Sequence, residues 1–214
     1  MLTVRTVADL QPGDLGFTSI AGRAGAGVLA GQTAIDVAAL LRARRAENAG
    51  WITHAYIVTT TGRHLTSGAP WAEIVEAVPA GARRVLLTGA DRTGHGYAYV
   101  RLGGDAGPAG WQTRAGAAAG RMVGTPYGWG QYAAIAGLTL SGGAAADACG
   151  PLARYVNRRD AGTGLPVQVI CSQLADEALR LAGVALFVDG RPPQYVTPGG
   201  LFWRAAHLGD VAVC

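Results

Sequence analysis

The chain of 214 residues has no lysine; all 18 of its basic residues are arginine. Charge of either sign is sparse, at 15% of residues, and 14 acidic side chains leave a formal net charge of +4. That excess is scattered over short groups: Arg42, Arg44 and Arg45; Arg83 and Arg84; Arg158 and Arg159. A nucleic-acid binder concentrates its basic residues into a dense stripe, so no nucleic-acid partner is expected. The arginines read as a solvated surface, with mild attraction to an anionic polymer as the sharper alternative. Cysteine is scarce too. Cys149, Cys171 and Cys214 are odd in number and far apart, which argues against a disulfide framework and against a zinc knuckle. No run of 18 apolar residues marks a membrane span. Residues 1–10 lack the basic start and long apolar stretch of a secretory signal. The expected location is therefore the cytoplasm, or a virion that carries the protein out of the cell by another route.

What is present suffices for a packed core. Half of the residues are hydrophobic, and the length suits one domain over residues 1–214. Residues 11–20 read as a turn feeding a short strand, followed by a Gly/Ala-rich loop. Residues 33–47 read as a helix with Ile35, Val37, Leu40 and Leu41 on one side and Arg42, Arg44, Arg45 and Glu47 at its end. Trp51–Thr60, Glu73–Val78, Arg83–Thr88 and Tyr97–Leu102 are rich in β-branched and aromatic residues. With no helical period between them, these four strands predict an antiparallel meander. Helices are expected over 112–123 and 131–140, with a turn-rich break at 124–130. Residues 141–166 carry no trustworthy period and read as an insertion or a long surface loop. Val167–Gly183 predicts an amphipathic helix through Ile170, Leu174, Ala178 and Leu181, with Gly183 as its stop. Residues 191–200 read as extended. The class is α+β.

Cys171 falls at the start of the 167–183 helix. The first turn of a helix carries unpaired N–H groups and the positive end of the dipole, which favour thiolate over thiol and can hold an oxyanion. The plainer alternative is a small core residue, since free cysteine is often buried. A thiolate nucleophile also needs a base that can protonate a leaving group. Of the four histidines, His64 lies in a polar turn, His95 lies between glycines and His207 is near the end. His54, opening a β-rich run, is the candidate. A third group must orient the base. Glu76 is a carboxylate within the apolar Ile-Val-Glu-Ala-Val strand, where an unpartnered acid is rare. Thr66 and His64 are the alternatives for a tighter hairpin after His54, and a strand residue facing water is the plain reading of Glu76.

Taken in order, five segments resemble the circularly permuted branch of the NlpC-type papain-like cysteine hydrolases, a branch related to the lecithin:retinol acyltransferase group. They are Leu10-Gln-Pro-Gly-Asp-Leu-Gly-Phe, Thr53-His-Ala-Tyr-Ile-Val, Val75-Glu-Ala-Val-Pro-Ala-Gly-Ala-Arg, Val123-Gly-Thr-Pro-Tyr-Gly-Trp and Ile170-Cys-Ser-Gln-Leu-Ala. Val196-Thr-Pro-Gly-Gly-Leu also fits. In the ordinary enzymes the cysteine precedes the histidine; in the permuted branch, as in this sequence, the histidine comes first. The resemblance implies a papain-like fold, Cys171 as nucleophile, His54 as base and Glu76 as the orienting residue. A gap-free register would put Thr66 in that third place instead. Cys149 and Cys214 are read as non-catalytic.

The resemblance further implies amide hydrolysis, with peptidoglycan stem peptides as substrate and a phage-borne wall hydrolase as one setting. A lipid acyltransferase or thioesterase would use the same residues, and a virion protein that kept the fold without the activity would keep the partners but not the chemistry. No metal or organic cofactor is called for.

Overall fold

The computed structural model describes residues 3–4, 6–20, 22–41, 52–88, 98–140, 154–155, 157–187 and 195–213. Seven strands make one sheet: β1 (Thr3–Val4), β2 (Leu15–Thr18), β3 (His54–Arg63), β4 (Pro70–Val78), β5 (Gly81–Thr88), β6 (Ala98–Leu102) and β7 (Gly209–Val213). Their order is β1-β7-β6-β2-β3-β4-β5. The six from β7 to β5 are antiparallel, and β1 adds to β7 in parallel. Among the described residues, five α-helices of eight or more residues complete the α+β fold: α1 (Gly22–Leu41), α2 (Trp111–Arg121), α3 (Gln131–Leu140), α4 (Cys171–Leu181) and α5 (Pro198–Leu208). None of the helices among the described residues is long and apolar enough to cross a membrane.

The expected four-strand meander is three strands long. β3, β4 and β5 follow one another, and β6 then crosses to the far side of β2. The reason is burial. Ala98, Tyr99 and Val100 are covered on both faces, so β6 needs a neighbour on each edge, and β2 and β7 supply them. β5 keeps an outer edge, closed at its start by Thr125, whose carbonyl accepts from the Ala82 N–H at 2.8 Å.

Two further expectations fail. The Gly/Ala-rich stretch after residue 20 is the first half of α1, because alanine is the best helix former and small residues let α1 lie close to α3. A Cβ on Gly31 would sit 2.9 Å from the Cβ of Tyr132, so this glycine sets the approach of the two helices. The polar end expected for that helix, residues 42–47, lies outside the described residues. The extended tail ends at Thr197, where α5 begins. The Thr197 side chain accepts from the Gly200 N–H at 3.1 Å with proline at the first helical position, a start signal the reading by apolar period passed over. β7 was not anticipated either.

The main core lies on the face of the sheet that carries Ala55, Ile57, Val75 and Ala77, where α2 and α4 pack on β3 and on each other. A smaller cluster of Leu10, Tyr56, Val58, Ile74, Leu87 and Tyr99 covers the opposite face. Only part of the expected insertion, residues 141–166, is described. Residues 159–166 form a tight turn bridged at Arg159 and Pro166 and tied to α4 by two bonds from Arg159 to Glu177, at 2.8 and 3.2 Å.

Candidate active site

His54 is the first residue of β3 and pairs with Thr18 of β2. Just before it, Thr53 Oγ1 accepts from the Ile20 N–H at 2.7 Å, fixing the entry to the strand. In the β3–β4 ladder Glu76 stands opposite Tyr56, so it is the diagonal, same-face neighbour of His54. The two side chains meet: His54 Nε2 lies 2.7 Å from Glu76 Oε2. The other Glu76 oxygen accepts from Arg83 Nε at 3.0 Å and Nη2 at 2.7 Å, and Arg83 is opposite Glu76 in the next strand. Three adjacent strands thus carry an unbroken imidazole–carboxylate–guanidinium chain.

Thr66, the alternative third residue, lies in the exposed turn after β3, at the end of that strand away from His54. Nine residues of strand separate His54 from Arg63, about 30 Å at the usual rise. The stretch between the two motifs is mostly strand, because β3 and β4 run on to Arg63 and Pro70 with an irregularity between Val58 and Thr60.

Cys171 is the first residue of α4. Residues 167–170, expected to be helical, are not. Ile170 is the N-cap and offers no side-chain acceptor, so the first-turn N–H groups beside Cys171 are left without a side-chain cap. The Gln173 side chain instead turns back to accept from the Ile170 N–H at 3.1 Å, and Ser172 Oγ donates to the Val196 carbonyl at 2.7 Å. Both contacts hold the helix start in place. His54 Nδ1, the ring nitrogen not used by Glu76, is buried without a well-formed hydrogen bond, and Cys171 lies near enough to the imidazole to act on its titration.

The electrostatics follow this layout. Burial alone would push the His54 pKa down. Hydrogen bonding to Cys171 and Glu76, together with their negative charge, outweighs burial and raises it from 6.5 to about 9. For Glu76, burial would push the pKa up, but His54 and Arg83 hold it down at about 2. At neutral pH these shifts favour a protonated imidazole and an ionised Glu76 carboxylate.

Two tyrosines without an assigned role complete the site. Residues 126–128 run beside Val169: the Gly128 N–H donates to the Val169 carbonyl and the Val169 N–H to that of Pro126, each at 3.0 Å. This contact brings Tyr127 to Cys171. Tyr132, from α3, approaches from the other side. Burial first, and then the charge of nearby Cys171, push both phenol pKa values up. The Tyr132 hydroxyl is within reach of Cys171 and Tyr127, yet it is buried and forms no well-aligned hydrogen bond. Tyr127 stood in one of the quoted segments; Tyr132, an aromatic in a helix of small residues, carried no signal.

The sulfur is enclosed. Cys171 is 0% exposed and His54 4%. Of the other histidines, His64 is at the exposed hairpin turn, and exposed His207 has Nδ1 2.7 Å from the Trp203 carbonyl oxygen. His95, Cys149 and Cys214 lie outside the described residues. No group of three or more His, Cys, Asp or Glu side chains suited to a metal ion occurs among the described residues. Comparison with protein-family models and with curated proteins finds no match to this chain.

Proposed function

We propose that the protein is a circularly permuted, papain-like cysteine hydrolase that cleaves an amide bond, with peptidoglycan stem peptides as substrate. The observation that supports this most is the convergence of Cys171, His54 and Glu76 from three separate elements, with the acid 2.7 Å from one imidazole nitrogen and the thiol near enough to the ring to act on its titration. Such a set transfers protons and attacks carbonyls.

In the proposed reaction the Cys171 sulfur adds to the amide carbonyl carbon, and the oxyanion meets the uncapped N–H groups at the start of α4. The C–N bond breaks as His54 gives its proton to the leaving amine. Neutral His54 then takes a proton from water, whose oxygen attacks the thioester. The products are a carboxylic acid, an amine and free Cys171. Glu76 keeps the ring oriented and stabilises its protonated form, and Arg83 keeps Glu76 ionised. A phage-borne wall hydrolase remains the setting this reading favours.

The complete burial of Cys171 favours a second reading, a virion protein that kept the fold and lost the activity. Iodoacetamide labelling across pH, read by peptide mass spectrometry on wild type and His54→Ala, separates the two. The hydrolase reading expects Cys171 to react fastest of the three thiols near neutral pH and to lose that lead without His54. An inert Cys171, or one indifferent to His54, supports the silent protein.

A further inference from the structure

The buried thiol has one neighbour that reaches toward solvent. Tyr127 is half-buried, and its ring meets that of Trp129 edge-to-face with centroids 5.0 Å apart. Trp129 is 55% exposed, which is unusual for the largest apolar side chain. Beside it lies Tyr155, 40% exposed: its hydroxyl sits where a Cβ on Gly130 would come within 2.6 Å, and it donates to Gln168 Oε1 at 3.4 Å. Gln168 precedes Cys171 by three residues, and its carbonyl accepts from Gln131 Nε2 at 3.3 Å. An aromatic step therefore leads from the sulfur to the surface, edged by hydroxyl and amide groups.

We infer that Trp129 and Tyr155 form a carbohydrate subsite that seats a sugar ring of a glycan strand at the entrance to Cys171. This deepens the hydrolase reading and rests on it for the identity of the strand. Each aromatic face is electron-rich and attracts the polarised C–H groups of a pyranose, while the Tyr155 hydroxyl and the Gln168 amide match its hydroxyl and acetamido groups. An acyl chain would ask for aliphatic walls. Among residues 126–131 and 157–170, no Leu, Ile, Val or Met side chain is exposed; Leu165 and Val167 are half-buried, and Pro126 is the one exposed aliphatic ring there.

The test uses the full chain carrying Cys171→Ala, so that binding is read without turnover. Tetra-N-acetylchitotetraose is titrated and tryptophan fluorescence recorded. The expected result is a saturable change, with affinity reduced by about tenfold or more in Trp129→Ala and again in Tyr155→Ala. Leu86→Ser, which removes an exposed apolar side chain from β5, binds as the parent does. Circular dichroism melts confirm that each variant is folded. No saturable binding, or equal binding by Trp129→Ala, overturns the subsite, as does a Trp129-dependent response to decanoate micelles with none to the sugar. Sugar binding with no cleavage of peptidoglycan stem peptides by the wild type would sink only the hydrolase reading; cleavage of those peptides without sugar binding would sink only the subsite.

Discussion

Asp14, Glu76 and Glu177 are buried carboxylates with arginine partners, and they are not equivalent. Asp14 takes Arg101 through both oxygens, at 2.8 and 2.6 Å, and accepts a third bond from the Gln11 N–H. Glu177 receives four bonds from Arg159 and Arg180, two on each oxygen. Both are closed: every oxygen is occupied by a permanent cation or by backbone, and no proton has anywhere to go. Glu76 gives Arg83 one oxygen and keeps the other for His54, a titratable group with Cys171 nearby. A buried acid is a common way to tie strands together; one shared between a permanent and a titratable cation is a device for moving protons.

The sharpest break of this comparison is chemical. Cys171→Ala and Glu76→Ala should both cut amide hydrolysis, the former by on the order of 10³-fold or more, while Asp14→Ala should spare the chemistry of whatever fraction folds. Turnover by purified, folded protein checks this. The next effect is on stability. Asp14→Ala leaves Arg101 beside an empty, buried position and should cost about 3 kcal/mol, read as a lower urea midpoint. Glu177→Gln keeps the volume but puts an amide between two guanidinium groups, and should cost about 2 kcal/mol by the same measurement. The smallest change should come from Arg83→Ala: the Arg83 side chain is 57% exposed, so its loss should shift stability by only about 0.5 kcal/mol.

The titration of His54 sharpens the contrast further. A folded pKa near 9, above the ordinary 6.5, means that His54 contributes stability fully present below about pH 6.5 and lost as pH rises through 9. Glu76, lowered to about 2 from 4.5, contributes stability present above about pH 4.5 and lost as pH falls through 2. Glu76→Gln removes the negative charge from the imidazolium, so the His54 midpoint should move to lower pH, and the alkaline limb of activity with it. Histidine nitrogen shifts followed by NMR would read this directly, and an unmoved midpoint would contradict the shared-carboxylate picture.

Much of the site was legible because its residues are out of place locally. Glu76 interrupts an apolar strand, His54 opens one, and Cys171 stands at a helix start. Each is a polar or reactive group where propensity asks for none, and the cross-strand register accounts for two of them. What stayed illegible depends on partners far along the chain. Asp14 was quoted within a motif, but its cation is 87 residues away. β6 has the pattern of a fourth hairpin strand, and nothing within it tells that β2 and β7 are its neighbours. The small residues of α1 look like a loop until Tyr132 is packed against Gly31. The enclosure of the thiol is equally non-local, since it depends on where Tyr127 and Tyr132 arrive.

The sheet order also has a consequence for how the protein comes into being on the ribosome. The imidazole and its carboxylate belong to one hairpin, complete once β4 has emerged, whereas the thiol follows almost a hundred residues later. β6 gains its second neighbour only when β7 is made. Between the completion of β4 and the arrival of α4 the nascent chain therefore carries the imidazole–carboxylate pair without its thiol. The Cys171–His54–Glu76 set is thus brought together only after six of the seven strands have been made.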